Sequence, residues 1–434
     1  MGNEIRQGVR EALAQAALYS RALGKWLLLA GVTGGLCGLL GTAFHVAVEE
    51  VTALRGERPW LLYGLPLAGL AIAGLYRVLR TEGQGTNDIF REVCQGGELS
   101  IRLLPSIFIA TVLTHLCGGS AGREGAALQM GGVVGYQIGR LWRFDERDLR
   151  IATTTGMAAF FSALFGTPLT AAVFSVAVVN VDAFYHAALF PSLTAALEAY
   201  GISILLGVRP TSFAVEAPAP ALGLLLQTAV LAALCGLLSS VFCGTIHFAE
   251  HQMAKRLPNV WLRAFAGGCA VVVLTLLCGV TDYNGAGMEV ITAAVEQGTV
   301  HPAAFVLKLV FTAVTLAAGF KGGEVVPSFF VGAAFGCTVG PLLGLPAGFA
   351  AALGLTSVFC GAVNCPLASV FLAVELFGGD GVLYFALACC ISYVLSGYGG
   401  LYSSQRILHS KLKALYINVH TNTPLKDREE ASAK

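Results

Sequence analysis

Apolar residues run in long blocks along this chain, and polar residues are confined to breaks between them. Apolar runs cover about 26–48, 59–79, 101–118, 151–165, 168–180 and 183–206 in the first half, and about 221–248, 258–280, 287–297, 303–319, 327–343, 348–363, 366–378 and 381–398 in the second. An upright transmembrane helix needs about 20 apolar residues. Many of these runs are shorter, and several are broken by Gly or Pro. The pattern predicts tilted, partial and re-entrant helices rather than a simple serpentine. Residues 1–25 read as an amphipathic, weakly basic lead-in helix. Polar breaks fall at 81–100, at a charged loop from Arg143 to Arg150, at the Pro-rich stretch Arg209–Pro220, and from 402 onward. Basic residues at both ends (Arg6, Arg10, Arg21, Lys25; Arg406, Lys411, Lys413) predict cytoplasmic termini by the positive-inside rule.

The two halves echo each other. Gly83-Gln84-Gly85 answers Gly285-Ala286-Gly287 at an offset of 202 residues; Gly131, Gly135 and Gly139 answer Gly332, Gly336 and Gly340 at 201; Pro168-Leu169 answers Pro366-Leu367 at 198. Three ordered matches at nearly constant offset indicate a duplication. The expected organisation is a cytoplasmic lead-in helix (1–25), a first transmembrane repeat (26–208), a linker (209–220), a second repeat (221–416) and a cytoplasmic tail (417–434). Repeats of broken helices imply a binding site near the bilayer midplane, where the repeats meet.

Composition agrees with a bilayer environment. The 434 residues are 56% hydrophobic and 12% charged, about half the charge of a soluble domain. A net charge of +1 gives no reason to expect nucleic acid or an acidic partner. Twelve Cys are scattered without a CxxC, so small buried thiols are the expectation, with neither disulfides nor a metal site. The first apolar run is too long for a cleavable signal.

One stretch breaks the apolar logic. Gly119-Ser120-Ala121-Gly122-Arg123-Glu124-Gly125 puts an arginine and a glutamate inside the largely apolar segment Leu103–Ile138. An ionisable residue at membrane depth is costly and marks a functional site by default. The flanking glycines suit a helix that begins inside the membrane, whose free N–H groups make an anion site. Polar or Gly-rich helix starts recur at Gly83–Thr86, at Gly322-Gly323-Glu324-Val325-Val326-Pro327 and near Leu401-Tyr402-Ser403. Three inward-aimed helix N-termini and a Tyr hydroxyl make an anion site without a full positive charge, which suits a protein that must bind and then release. Transport is expected rather than enzymatic chemistry, with no cofactor.

These motifs resemble the CLC family of anion channels and anion/proton antiporters, over about residues 20–416. Gly122-Arg123-Glu124-Gly125 matches the family's GREGP motif up to its last residue, here Ala126; Gly323–Pro327 is similar to its GxFxP element; Leu401-Tyr402-Ser403 resembles the segment of its anion-coordinating tyrosine; Gly83-Gln84-Gly85-Thr86-Asn87 stands where the family has GSGIP. The resemblance implies an all-α polytopic membrane protein with an inverted internal repeat of tilted, partly re-entrant helices. It implies a homodimer with one anion pathway per subunit, and suits a bacterial inner membrane. The expected anion-binding residues are Gln84, Thr86, Gly122, Arg123, Gly125, Val325, Val326 and Tyr402. Glu124 is the gating and proton-carrying glutamate, and Glu324 is a second candidate for a proton role.

Departures refine the reading. Gln84 replaces the family's central serine, with Thr86 two residues on, so either is a candidate for the central anion residue. The inner proton glutamate of chloride exchangers is missing: Ala177 or Val178 holds its place, and no carboxylate follows before Asp182. With Gly322–Pro327 in the form GGEVVP, these features resemble the fluoride-exporting branch, although Val326 stands where that branch often has Thr. The reading is fluoride/proton antiport; the alternative is a chloride channel or chloride/proton exchanger of the same fold. Glu375, on the repeat copy of the segment lacking its glutamate, reads as a paired interior carboxylate, with a proton role as the alternative. His247-Phe248-Ala249-Glu250-His251 fits the zinc-protease spacing HxxEH, but it ends an apolar run before Lys255 and Arg256, where solvated polar residues are expected. A membrane metalloprotease is the remote alternative. No regulatory nucleotide-binding domain is expected after Tyr416.

Overall fold

The computed structural model describes residues 2–181, 185–413 and 415–423. Its first half holds α1 (Gly2–Glu57), a 3-10 turn (Pro59–Gly64), α2 (Leu65–Leu79), α3 (Thr86–Gln95), α4 (Leu103–Leu116), α5 (Glu124–Leu141), α6 (Glu146–Phe165), α7 (Pro168–Ala177) and α8 (His186–Leu205). An extended segment leads to α9 (Leu222–Arg256), α10 (Val260–Cys278), α11 (Met288–Thr292) with a following π turn, α12 (Ala304–Ala317), α13 (Val325–Val339), α14 (Ala347–Val363), α15 (Pro366–Phe377) and α16 (Val382–Leu395). Antiparallel β1 (Arg406–His409) and β2 (Tyr416–His420) close the described chain.

Among the described residues six helical stretches are long and apolar enough to cross a membrane, two of them α2 and α13 each joined to a neighbouring 3-10 turn. Helices such as α7, with 10 residues, and α15, with 12, are too short to span it. The lead-in and the first apolar run form one helix: α1 has 56 residues, about 84 Å at 1.5 Å per residue. The polar start of that helix is anchored where Lys25 pairs with Asp148 and lies over the Trp26 and Phe144 rings. The charged loop expected at Arg143–Arg150 is shorter than its composition suggests. Asp145 accepts a hydrogen bond from the Asp148 N–H (2.8 Å) and starts α6 at Glu146, so half of the charge run is a helix's first turn. The polar end beyond 402 contains the β1–β2 pair, which composition alone did not reveal.

The duplication is visible in backbone detail. Thr167 before α7 has φ −121°, ψ 74°, and Cys365 before α15 has φ −125°, ψ 72°. Each follows a left-handed residue, Gly166 (φ 71°) and Asn364 (φ 58°). The glycine ladders have the same use in both copies. A Cβ on Gly131 would strike the Gly156 carbonyl and one on Gly135 the Ala152 carbonyl; in the second half Gly332 meets Gly354 and Gly336 meets Ala350 in the same way. Bare backbone lets α5 lie against α6, and α13 against α14, at the close approach small residues permit between membrane helices.

The copies meet head to head. The N–H of Gly122 donates to the Gly323 carbonyl (2.7 Å), and the N–H of Gly323 returns the bond to Gly122 (2.8 Å), as an antiparallel bridge. Mutual antiparallel pairing of equivalent residues is what a two-fold axis between the copies produces, so the repeats are inverted. The fold is an all-α polytopic membrane architecture of two inverted repeats, with re-entrant helix starts at its centre.

Candidate functional site

The Gly122–Gly323 bridge brings the N-termini of α5 and α13 side by side in the core. Glu124, the first residue of α5, is wholly buried. Its Oε1 accepts from the Arg123 N–H (3.1 Å), and Oε2 has no partner. The backbone N–H groups of Glu124 and Val326 also face the carboxylate. Here the carboxylate occupies the place that paired helix N-termini prepare for an anion. The space exists because two side chains are missing: a Cβ on Gly122 or on Gly323 would overlap the Glu124 carboxylate.

A second helix start arrives from the first repeat. Gly83 is left-handed (φ 77°), and the Asp88 carboxylate accepts from the Gly85 N–H (2.9 Å), which fixes the first turn of α3. Thr86 opens that helix. A Cβ on Gly125 would lie 3.4 Å from Thr86 Oγ1, so Thr86 adjoins the start of α5. Gln129, on α5, donates from Nε2 to Thr86 Oγ1 (3.1 Å) and leaves its buried Oε1 unpaired. Gln84 Oε1 is likewise buried and unpaired. Turning either amide end for end presents an NH2 donor in place of the oxygen.

The strap of residues 396–405 supplies Tyr402, which is 2% exposed, with its ring edge-on to Phe90 (4.8 Å) and its hydroxyl unpaired. The strap is tightly held. Leu401 N–H donates to Ala362 O (2.9 Å), Thr421 Oγ1 to Tyr402 O (2.6 Å), and Ser404 N–H to Asn87 Oδ1 (3.0 Å). Buried polar groups are almost always paired. Glu124, Gln84, Gln129 and Tyr402 keep unpaired buried polar atoms on or beside these helix starts, as other buried polar groups do elsewhere in the chain; here they share a region with free helix N–H groups, a combination an anion could complete.

The remaining sequence candidates divide by what their side chains do. Arg123 turns its guanidinium away, over the Phe165 ring (5.7 Å) and within electrostatic reach of Glu49, so its backbone N–H is what it offers. Gly122 has its own N–H committed to Gly323 and contributes room. The Val326 side chain faces an apolar pocket with Phe161, Phe165 and Phe329, leaving its N–H for the site; Val325 is fully buried beside it. Glu324 stands at the cap position of α13, where its carbonyl accepts from the Ser328 N–H (3.0 Å) while its partly accessible side chain makes no capping bond. Gln129 was overlooked in the sequence. Its signal was a lone amide inside the apolar run Ala126–Val134.

The inner positions also resolve. Val178 is buried at the end of α7, and its carbonyl accepts from Gln405 Nε2 (2.7 Å), which also binds Val363 O (2.8 Å). Asp182 lies outside the described residues. Glu375 caps α7: its carboxylate accepts from the N–H groups of Leu169 and Thr170 (2.9 Å each) and from Thr170 Oγ1 (2.5 Å). In the HxxEH segment, His247 Nε2 lies 2.8 Å from the Gly400 carbonyl and Nδ1 lies 3.6 Å from Glu250, while His251 is exposed. Among the described residues no three His, Cys, Asp or Glu side chains form a metal-binding group.

Comparison with known proteins follows the same lines. A family model described as voltage gated chloride channel matches residues 68–397. A chloride/fluoride channel protein of Pseudomonas syringae pv. tomato is 36% identical over 399 residues, covering 90% of this chain and 88% of that one. An H(+)/Cl(-) exchange transporter of Vibrio parahaemolyticus is 25% identical over 422 residues, covering 89% and 90%. The crystal structure of a CLC-type fluoride/proton antiporter superimposes with a TM-score of 0.86 at 33% identity, covering 89% of this chain and 98% of that one. A slow cyanobacterial Cl-/H+ antiporter shares the fold at a TM-score of 0.74 and 21% identity, covering 86% and 94%.

Proposed function

The chain belongs to the voltage gated chloride channel (CLC) family, and from that premise we propose that it moves halide across the membrane as a fluoride/proton antiporter. The observation that carries the reading is the wholly buried Glu124 carboxylate held at the paired starts of α5 and α13 with one oxygen free. Ionised, Glu124 acts as the site's own anion. Protonated, it loses its attraction to the helix ends and swings out, and a halide takes its place among N–H and O–H donors. One residue thereby alternates anion occupancy with proton carriage. No covalent bond other than O–H is made or broken, so the chemistry is transport.

Fluoride is small and strongly hydrated, and it accepts hydrogen bonds strongly. A site that selects it offers close donors to replace its water. Here the donors are the Tyr402 hydroxyl, Thr86, the turned amides of Gln84 and Gln129, and the N–H groups of Arg123 and Val326. Beneath the strap an open polar basin lined by Arg91, Ser403, Ser404 and His420 adjoins Tyr402 and serves as the inner anion mouth. The donor set lies within one chain, which fits a homodimer with an independent pathway in each subunit. The basic lead-in and the β1–β2 end then face the cytoplasm of a bacterial inner membrane.

The test is efflux from liposomes loaded with fluoride or with chloride, followed by ion electrodes together with external pH. Fluoride efflux accompanied by proton uptake, with chloride at least tenfold slower, is the expected result. Chloride efflux as fast as fluoride overturns the fluoride assignment in favour of chloride transport on the same fold.

A further inference from the structure

A buried gate that carries protons needs a way to receive them from the inner water. At the end of α7, where the resemblance places the acid of chloride exchangers, stand Ala177 and Val178, neither of which carries a proton, and the Val178 carbonyl is tied to Gln405. The α9 helix offers another route. Successive turns of one face dock on the strap and on the end of α14: Ser240 Oγ donates to Ser396 O (2.8 Å), Cys243 Sγ faces Ala362 O of α14 (3.8 Å), and His247 Nε2 bonds Gly400 O (2.8 Å). Glu250 is on the next turn. Its side chain is 46% exposed and lies 3.6 Å from His247 Nδ1.

Contacts place this end of α9 on the side of the basic lead-in, the inner side in the topology proposed above. Asn422 Nδ2 reaches His247 (3.2 Å), Val181 N–H bonds Arg406 O (2.9 Å), and Cys94 Sγ reaches Asn180 (3.7 Å). That path leads to α3, whose Glu92 faces Thr153 and Arg150 of α6, the helix whose first turn pairs Asp148 with Lys25. Glu250 is therefore on the face that carries the basic lead-in. The α13 helix packs against α9, and the partly accessible Glu324 at its start lies within electrostatic reach of Glu250, His247 and Glu124. Other charged groups act on this region: Lys321 before α13, Arg263 on α10, Asp88 on α3, and Lys411, whose Nζ donates to Ser396 Oγ (3.1 Å).

We propose that Glu250 is the inner proton-loading residue of the exchanger, taking a proton from inner water and passing it by way of Glu324 to Glu124. The inference rests on the proton-coupled reading above. In each step the O–H of one carboxyl breaks as that of the next forms through intervening water, and the donor returns to carboxylate. Protons and anions then reach Glu124 by separate inner routes, one past Glu250 and one through the basin under Tyr402.

The experiment compares wild type, Glu250→Gln and Glu250→Asp for coupled exchange in liposomes and for fluoride binding by calorimetry. Glu250→Gln is expected to slow exchange at least tenfold while binding stays within twofold, and Glu250→Asp to keep exchange within threefold of wild type. Wild-type exchange in Glu250→Gln overturns the proposal. Binding that falls by the same factor as exchange also overturns it, because Glu250 then only braces the strap. Wild type moving fluoride with no proton counter-movement refutes the antiport reading itself, and with it any proton port.

Discussion

The starts of α5 and α13 are the same backbone object carrying different chemistry. Each follows a left-handed glycine, Gly118 (φ 81°) and Gly319 (φ 98°), and each passes through one glycine of the mutual bridge. At the cap position the first copy has Arg123 and the second Glu324; one residue on, the first has Glu124 and the second Val325. Duplication supplied two helix ends aimed at one point. Divergence then gave a buried carboxylate, the proposed gate, to one copy, a dry wall to its partner, and a second acid one position out of register. A symmetric site with a carboxylate at both starts would set two like charges against each other.

Shared backbone makes Gly323 the most sensitive position on the silent side. Gly323→Ala puts a methyl group into the Glu124 carboxylate and 2.6 Å from the Gly125 nitrogen. Exchange should fall by about 100-fold or more, since overpacking a closed core costs on the order of 1–3 kcal/mol and here also displaces the gate. Wild-type flux from Gly323→Ala would show that the two starts do not constrain one another.

Glu375 tests whether the second repeat's acid is a brace or a carrier. It caps α7 with three hydrogen bonds, so Glu375→Gln should lower stability by about 2 kcal/mol, read as a drop in melting temperature. Exchange per folded protein should be unchanged. A loss of proton coupling without a loss of stability would make it a carrier.

Tyr402→Phe removes one hydroxyl that has no protein partner. Fluoride binding should weaken about five- to tenfold, or about 1 kcal/mol, with melting temperature unaltered. Unchanged binding would remove Tyr402 from the donor set. The smallest effect is expected at Lys25, whose pair with Asp148 is partly exposed. Lys25→Ala should cost at most about 1 kcal/mol of stability and leave flux alone.

Much of this was legible beforehand because membrane depth makes polar residues conspicuous. Glu124, Glu324 and the glycine starts stood out against apolar neighbours, and the near-constant offsets exposed the duplication. Other features depend on partners far away in sequence. Gln129 matters through Thr86, Arg123 is turned aside by Phe165 and Glu49, and the Val326 side chain is claimed by an apolar pocket. The β1–β2 pair was hidden because its period is too short to stand out in a polar tail: only Ile417 and Val419 alternate with exposed neighbours along five residues of β2. The unbroken α1 was hidden because a change from amphipathic to apolar composition looks like a boundary when it is one helix leaving water.

Uphill transport tests the central claim about Glu124 most directly. Liposomes containing the protein are set with equal fluoride on both sides and a tenfold proton gradient across the membrane. Wild type should drive fluoride against its own gradient as protons run down theirs, and Glu124→Gln should produce no uphill fluoride movement. Proton-driven fluoride accumulation that survives in Glu124→Gln would contradict the assignment of gate and proton carrier to this one residue.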